Sequence, residues 1–458
     1  MKKKLVLIGA GSAMFTQGLV ADLVISGTPW DLGLVDIDPM ALQVADGLAR
    51  KMVAARDVDI SIESSTDRGD VLPGADVVVT TIGVGGRRAW LADVQIPRRY
   101  GVFQPVGDTA MAGGISRAMR MIPAMIDIAA DVVRICPQAR FLNYANPMSV
   151  VCWAVRRATG ADIVGLCIGV PHVIHYLADF IDKPRDEVTA FAAGVNHFTW
   201  IYDLRWKGVD AWPLVREQLA RERAGEAVEA EEPDAPGGDT TMVRKRWRPL
   251  AAHNPFSWSL FDAYGAYPAV HDRHVVEFFP ERFANGDYFG KGRMGVDTFS
   301  MEAVIDHGDE IYARMKAVAL GEVPLDEGIF ERNSGEHSQL VEILASIDGD
   351  RRAMYSANVP NQGAIPNLPA EAVVEVTAAA TARGIQPLQV PGFPASLAAP
   401  LRRKIAAQAI TVEAALTGSR KLFAEAMLLD GCISDPAAAD KLADELIAEH
   451  AADLPQFA

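Results

Sequence analysis

The chain reads as an α/β protein. A Rossmann-like doubly wound parallel sheet is expected over residues 1–170, and a mixed α+β domain over residues 171–458. Three observations predict this. Apolar strand-like runs alternate with helical stretches through the first part of the chain. The first run, Leu5–Ile8, passes directly into a glycine turn, Gly9-Ala10-Gly11-Ser12. The next run, Leu32–Val35, ends in an acid, Asp36.

Taken in order, Leu5–Ile8 has the unbroken apolar character of a strand covered on both faces. Gly9 permits a tight turn, and Gly11, followed by Ser12, lets the backbone approach a pyrophosphate at the start of the next helix. Asp36 stands 25 positions beyond Gly11, close to the spacing of an acid that binds the adenosine ribose. An acid there disfavours a 2′-phosphate, so the pattern predicts NAD over NADP. Met14 occupies the place of the third glycine in that pattern. A helix is expected over Pro39–Ala55 and a strand over Ile60–Ser64. The β-branched strand Ala75–Thr81 runs into the glycine cluster Gly83-Val84-Gly85-Gly86, at the strand end where open α/β sheets bind ligands. Next come a helix over Gly114–Ile135, a strand over Ala139–Leu142 ending in Asn143-Tyr144-Ala145-Asn146-Pro147, a helix over Met148–Thr159 and a strand over Ile163–Cys167.

The second half is less regular. Ala192–Leu204 has strand character. Leu214–Glu231, Met301–Leu320, Gly335–Ile347, Leu401–Thr417 and Ala437–His450 have helical spacing, and Glu232–Asp239 reads as a loop.

Composition narrows the function. A formal net charge of −15 argues against a nucleic-acid partner, and half the residues are hydrophobic, enough for a large core. The basic start Met1-Lys2-Lys3-Lys4 is followed by glycine-broken sequence rather than a signal peptide, and no run is long enough to span a bilayer. Four scattered cysteines without a CxxC pair suit a reduced cytoplasm.

Several residues stand out chemically. Cys167, in Gly165-Leu166-Cys167-Ile168-Gly169, and His197, in Gly194-Val195-Asn196-His197-Phe198, supply a thiol and an imidazole. Together they are the minimum for a divalent metal completed by substrate oxygens and water, with His172 a rival ligand. A buried core cysteine and a structural histidine are the plainer readings. The glycine-flanked loop Gly107-Asp108-Thr109 precedes a helix carrying Arg117 and Arg120, so Asp108 is a candidate for proton transfer and Arg117 for substrate. Asn143 and Asn146 sit at a strand end, where amides suit sugar hydroxyls. Gly265–His274, with Glu277 beyond it, concentrates titratable groups, among them His271, Asp272 and Arg273.

In this order the segments resemble the NAD- and divalent-metal-dependent glycosidases of glycoside hydrolase family 4. The resemblance runs from Gly9-Ala10-Gly11-Ser12 through Val35-Asp36-Ile37-Asp38, Gly107-Asp108-Thr109, Asn143–Pro147, Cys167 and Gly194–His197, to Asn358–Gly363 and Val373-Val374-Glu375-Val376. It implies oxidation of a sugar at C3 by NAD, removal of the C2 proton, loss of the aglycone by β-elimination, water addition and re-reduction. It implies Mn²⁺ or another divalent metal held by Cys167 and His197, with Asn146, Asn196, Arg117 and Arg273 at the sugar. The family's base aligns near His271, with Asp272 adjacent. Members tend to carry histidine, aspartate or asparagine after the metal cysteine, according to substrate. Ile168 stands there in this chain. Gly265–Pro280 best resembles the α-galactosidase and α-uronidase branch, with His274 and Glu277 matching and Arg273 replacing an acid, which points to an unphosphorylated α-hexoside or α-hexuronide. A homodimer or homotetramer is implied as well. A malate- or lactate-type dehydrogenase shares the expected sheet but lacks the extra length and has a compact histidine–arginine pair not found here. A non-catalytic NAD-binding regulator is the third reading.

Overall fold

The computed structural model describes residues 2–225, 250–331 and 339–458. Its frame is one 13-stranded sheet. Strands β1 (Lys3–Ile8), β2 (Trp30–Val35), β3 (Ile60–Ser65), β4 (Val77–Thr80), β5 (Arg140–Asn143) and β6 (Ile163–Gly165) are all parallel, in the order β3-β2-β1-β4-β5-β6. This is the doubly wound half expected from the sequence. Leu5 to Ile8 and Val77 to Thr80 are buried throughout, as befits strands covered on both faces.

The second half continues the same sheet in antiparallel fashion. Its strands are β7 (Val188–Val195), β8 (Phe198–Trp206), β9 (Val209–Asp210), β10 (Tyr267–Pro268), β11 (Ala353–Pro360), β12 (Val373–Thr381) and β13 (Gly384–Pro387). The order from β6 is β11-β12-β7-β8-β10, with β9 on β8 and β13 on β12. The join is narrow: Asn358 of β11 pairs with Gly165 of β6.

Helices cover both faces. Pro39–Arg56 starts on Asp38, whose side chain accepts from the amides of Met40 and Ala41, with proline in the first turn. Its face of Leu42, Ala45, Leu48, Ala49 and Met52 is buried. The helix Met111–Ile135, packed on Met148–Thr159 and Ala395–Thr417, is central. It begins earlier than the expected Gly114. Met301–Leu320, capped by Ser300, lies back across Pro39–Arg56 and so ties the second half to the first.

Several elements differ from expectation. Helices Gly86–Arg98 and Gly169–Phe180 were not foreseen. The Leu214–Glu231 helix appears as Trp212–Arg223, and residues 226–231 lie outside the described ones. So do the whole Glu232–Asp239 loop and residues 335–338 of the expected Gly335–Ile347 helix, which is described as Leu340–Asp348. No helix among the described residues is long and apolar enough to cross a membrane.

Candidate active site

The glycine turn sits at the carboxyl ends of β1, β2 and β4. A Cβ on Gly9 would stand 2.8 Å from the Ile82 backbone nitrogen, and one on Gly11 would stand 2.5 Å from Ala41 Cβ. Only glycine fits either place, and the backbone is left bare for a close neighbour. The Gly11 amide donates to Asp36 Oδ2 (2.8 Å), so the acid at the end of β2 lies directly over the turn. Ser12 accepts from the Phe15 amide. The next helix, Thr16–Ile25, has Phe15 at its N-cap, which offers no side-chain acceptor to the first-turn amides. Met14 is 53% exposed, so nothing packs against it, and the third glycine of the pattern is not needed here. This turn, with its bare backbone, helix start and acid, fits a dinucleotide.

A second group of residues assembles beside it. Asp108 accepts from the Asn146 side-chain amide at Oδ2 (2.8 Å) and lies 2.7 Å from Thr109 Oγ1 at Oδ1. The same Thr109 hydroxyl is 2.9 Å from His197 Nδ1. The His197 and His274 rings are 4.5 Å apart. Asp108, His197 and His274 each bring a ligand atom to within 4.8 Å of the other two. One carboxylate oxygen and two imidazole nitrogens suit a divalent first-row metal such as Mn²⁺. Burial works to raise the Asp108 carboxyl, but the His197 and His274 rings, the Thr109 hydroxyl and Arg117 hold it below the ordinary carboxylate range. Burial keeps the His197 imidazole below its ordinary range, against the pull of Asp108.

Local structure explains the placement. Val195 pairs with Phe198, so Asn196 and His197 form a two-residue turn between β7 and β8. His197 takes φ +61°, the left-handed conformation that this two-residue turn requires. The loop carrying Asp108 is clamped by Glu277, which accepts from the Val106 and Gly107 amides (2.7 and 2.8 Å). Burial pushes the Glu277 carboxyl up to about 8, against those two donors and the charge of Arg273. The loop folds tightly onto the helix behind it: a Cβ on Gly114 would stand 2.3 Å from the Thr109 carbonyl carbon.

Arg117 points the same way. Its Nε donates to the Asn146 carbonyl (3.1 Å), and its guanidinium stacks over Trp90. A Cβ on Gly83 would meet its Nη2 at 3.4 Å, so the glycine after β4 and this cation share the cleft. Arg120, three residues on, instead forms a buried two-pronged pair with Asp93, joined by Ser116 and His450.

The sequence-derived candidates therefore divide. Asp108, His197, Asn146, Arg117 and Gly83 come together, and Gly9, Gly11, Ser12 and Asp36 form the adjoining turn. Asp272 does not join them. Fully buried, it accepts from the Phe256 and Ser257 amides and from the Ser257 and Tyr288 hydroxyls, capping the helix Pro255–Tyr264. Burial raises its carboxyl against those donors. These four donors tie Asp272 into the fold, apart from the Asp108, His197 and His274 trio. His271 is 1% exposed, its ring edge against Tyr176 in an aromatic cluster outside the trio. Asn196 is fully buried, and its backbone N–H donates to Ser149, so it shapes the turn from within. Arg273 lies by Glu277. Cys167 is partly buried at the end of β6, where its sulfur accepts from the Gly169 amide (3.4 Å), and it is not one of the three close ligand groups. Neither is His172. His274 and Thr109 are the additions. His274 stood out only through resemblance, and Thr109 carried no signal beyond its place after Asp108.

Known proteins align with this arrangement along its full length. The family model described as "Family 4 glycosyl hydrolase" matches residues 4–182, and that of the "Family 4 glycosyl hydrolase C-terminal domain" matches residues 192–433. An alpha-galactosidase of Bacillus subtilis (strain 168) is 30% identical, covering 99% of this chain and 100% of its own. An alpha-glucosidase of Erwinia rhapontici is 31% identical over 98% of both chains. An alpha-galacturonidase of Bacillus subtilis (strain 168) is 29% identical over 97% of this chain and 96% of its own. Among solved structures, a 6-phospho-alpha-glucosidase from gut microorganisms, in complex with NAD and Mn2+, superposes with a TM-score of 0.84 at 19% identity, covering all of both chains. A 6-phospho-beta glucosidase from Thermotoga maritima, with manganese, NAD+ and glucose-6-phosphate, gives 0.76 at 20% identity over 98% of each. Matched in both halves and aligned end to end with glycosidases, the chain belongs to family 4 of the glycosyl hydrolases and is a glycoside hydrolase.

Proposed function

We propose that this protein is an NAD- and Mn²⁺-dependent α-glycosidase that cleaves an unphosphorylated α-hexoside or α-hexuronide. The observation that carries the reading is the trio Asp108, His197 and His274, set beside a glycine turn that only bare backbone can occupy. Gly9, Gly11, Ser12 and Asp36 would hold the dinucleotide, with Gly83 on the facing loop. His197, His274 and Asp108 would hold the metal, with Cys167 at the end of β6 as the further ligand that the family resemblance implies. When bound, NAD supplies reversible hydride exchange at the sugar C3, and the cation supplies polarisation of the C2 and C3 oxygens.

The chain's own residues do the rest. Asn146 is fixed through Asp108 and leaves its carbonyl oxygen Oδ1 for a sugar hydroxyl. Arg117 presents its fork to the same space; the Asp108 and Asp93 charges act on it, but it makes no ion pair within 4 Å among the described residues, which favours a substrate bearing an anion. Ile168, 9% exposed at the start of the helix Gly169–Phe180, offers no hydrogen bond where family members tend to place a polar group. Asp108, His271 and Asp272 are the candidates for proton transfer in this proposal, Asp108 being the one that lies in the trio. Its test is a panel of aryl α- and β-glycosides and glycosiduronides, assayed with and without NAD and Mn²⁺. Nitrophenol release from an α-substrate that needs both additions, with no net NADH, supports the reading. Release without either addition contradicts it.

A further inference from the structure

The Thr109 hydroxyl holds a single hydrogen and stands between two groups that both address it. Asp108 Oδ1 is 2.7 Å away, and His197 Nδ1 is 2.9 Å away. A carboxylate can only accept. Oδ2 already accepts from Asn146, and Oδ1 faces Thr109. The hydroxyl hydrogen therefore goes to Asp108, which leaves an oxygen lone pair facing the imidazole. Nδ1 must then carry the ring hydrogen and donate it to Thr109. A neutral imidazole has one N–H, so Nε2 is bare. The opposite arrangement would set two oxygen lone pairs against each other at 2.7 Å and place the hydrogen on Nε2, where it would block a metal.

Building on the metal site proposed above, we infer that Thr109 is a positioning residue that fixes His197 as the Nδ1–H tautomer and so keeps Nε2 open as a metal ligand. The surroundings are built to hold it there. Thr109 is 7% exposed. Its loop is clamped by Glu277 at Val106 and Gly107 and pressed against Gly114. The histidine is held from its own side by the tight turn after Val195, anchored where the Asn196 amide meets Ser149. The charged and titratable groups facing the ring are Asp108 and His274, and neither lies between Thr109 and Nδ1. Orientation of a metal-binding histidine through its second nitrogen is usually worth about 10–100-fold in metal affinity.

The test compares wild type, Thr109→Val, Thr109→Ser and His197→Ala. Imidazole ¹⁵N shifts are read on the metal-free protein, and Mn²⁺ affinity is read by calorimetry with NAD present. Urea midpoints confirm that each variant is folded. The expected result is an Nδ1–H His197 in wild type and a mixture of tautomers in Thr109→Val, whose Mn²⁺ Kd rises about 10–100-fold. Thr109→Ser restores both. An Nε2–H ring in wild type overturns the inference. So does an unchanged Kd in Thr109→Val while His197→Ala abolishes Mn²⁺ binding. Wild-type Mn²⁺ affinity in His197→Ala overturns the metal reading itself, and the ring shifts then still decide whether Thr109 sets the tautomer.

Discussion

Two buried charges show how single residues shape this protein. Glu375, 2% exposed, accepts from the Thr199 and Ser356 hydroxyls, yet burial pushes its carboxyl up to about 7, from an ordinary value of 4.5. Between those values the folded chain holds a proton that the unfolded chain has released. Stability should therefore fall as pH rises from about 4.5 to about 7, by about 3 kcal/mol from this group. Glu375→Gln keeps the neutral shape and should remove that slope, and its advantage over wild type in urea unfolding should be full above pH 7. Equal slopes for the two proteins would show that Glu375 is not the source. Arg117 is the second case. Arg117→Ala should lower kcat/KM on an α-hexuronide about 100-fold, near 2.7 kcal/mol of transition-state binding, with a much smaller loss on neutral hexosides. Equal losses on both would make the arginine structural. Legibility at this scale followed chemistry. Asp108, His197, Arg117 and Asn146 were picked out by residue type and neighbouring glycines. For Asp272 the sequence shows a titratable group but not that the Phe256 and Ser257 amides already donate to it.

At the scale of elements, the clearest case is the helix Pro255–Tyr264. Its N-cap residue, Asn254, makes no side-chain capping bond, and the first-turn amides of Phe256 and Ser257 are satisfied instead by Asp272, more than a dozen residues downstream. Asp272→Ala strands those two buried donors and removes the acceptor of the Ser257 and Tyr288 hydroxyls. A loss of about 3–5 kcal/mol is expected in denaturant unfolding. A loss under about 1 kcal/mol would show that Asp272 is not an anchor for this helix. The same long-range capping explains why this region resisted local reading. Elements with strong local signals were legible: Asp38 and Pro39 announced the helix Pro39–Arg56, and Met301–Leu320 was found at its true ends. Helix Gly86–Arg98 was hidden by the glycine at its N-cap, Gly85, at φ +77° and by Pro97 within it. Parts of β11 and β12 were recognised as family segments but not as strands, because the burial of β12 on both faces masks its alternation.

Over the whole molecule, one sheet joins a parallel dinucleotide half to an antiparallel half, and each contributes to the site. Asp108 and Asn146 come from the first, and His197 and His274 from the second. The parallel half was legible because its strands are local, mostly apolar and each followed by a helix. The antiparallel half was not, because β12 pairs with β7 across a sequence gap that no local pattern reports. The proposed function sets the bare backbone of the glycine turn beside the trio proposed to hold a metal, and its chemistry is redox-assisted elimination. The most direct test is turnover of an aryl α-glycoside or α-glycosiduronide in D₂O with NAD and Mn²⁺. The released sugar is then examined by NMR for deuterium at C2. The account predicts deuterium there, because the C2–H bond is broken and remade on the way to product. Product that keeps its original hydrogen at C2 would contradict it and point to direct displacement at the anomeric carbon.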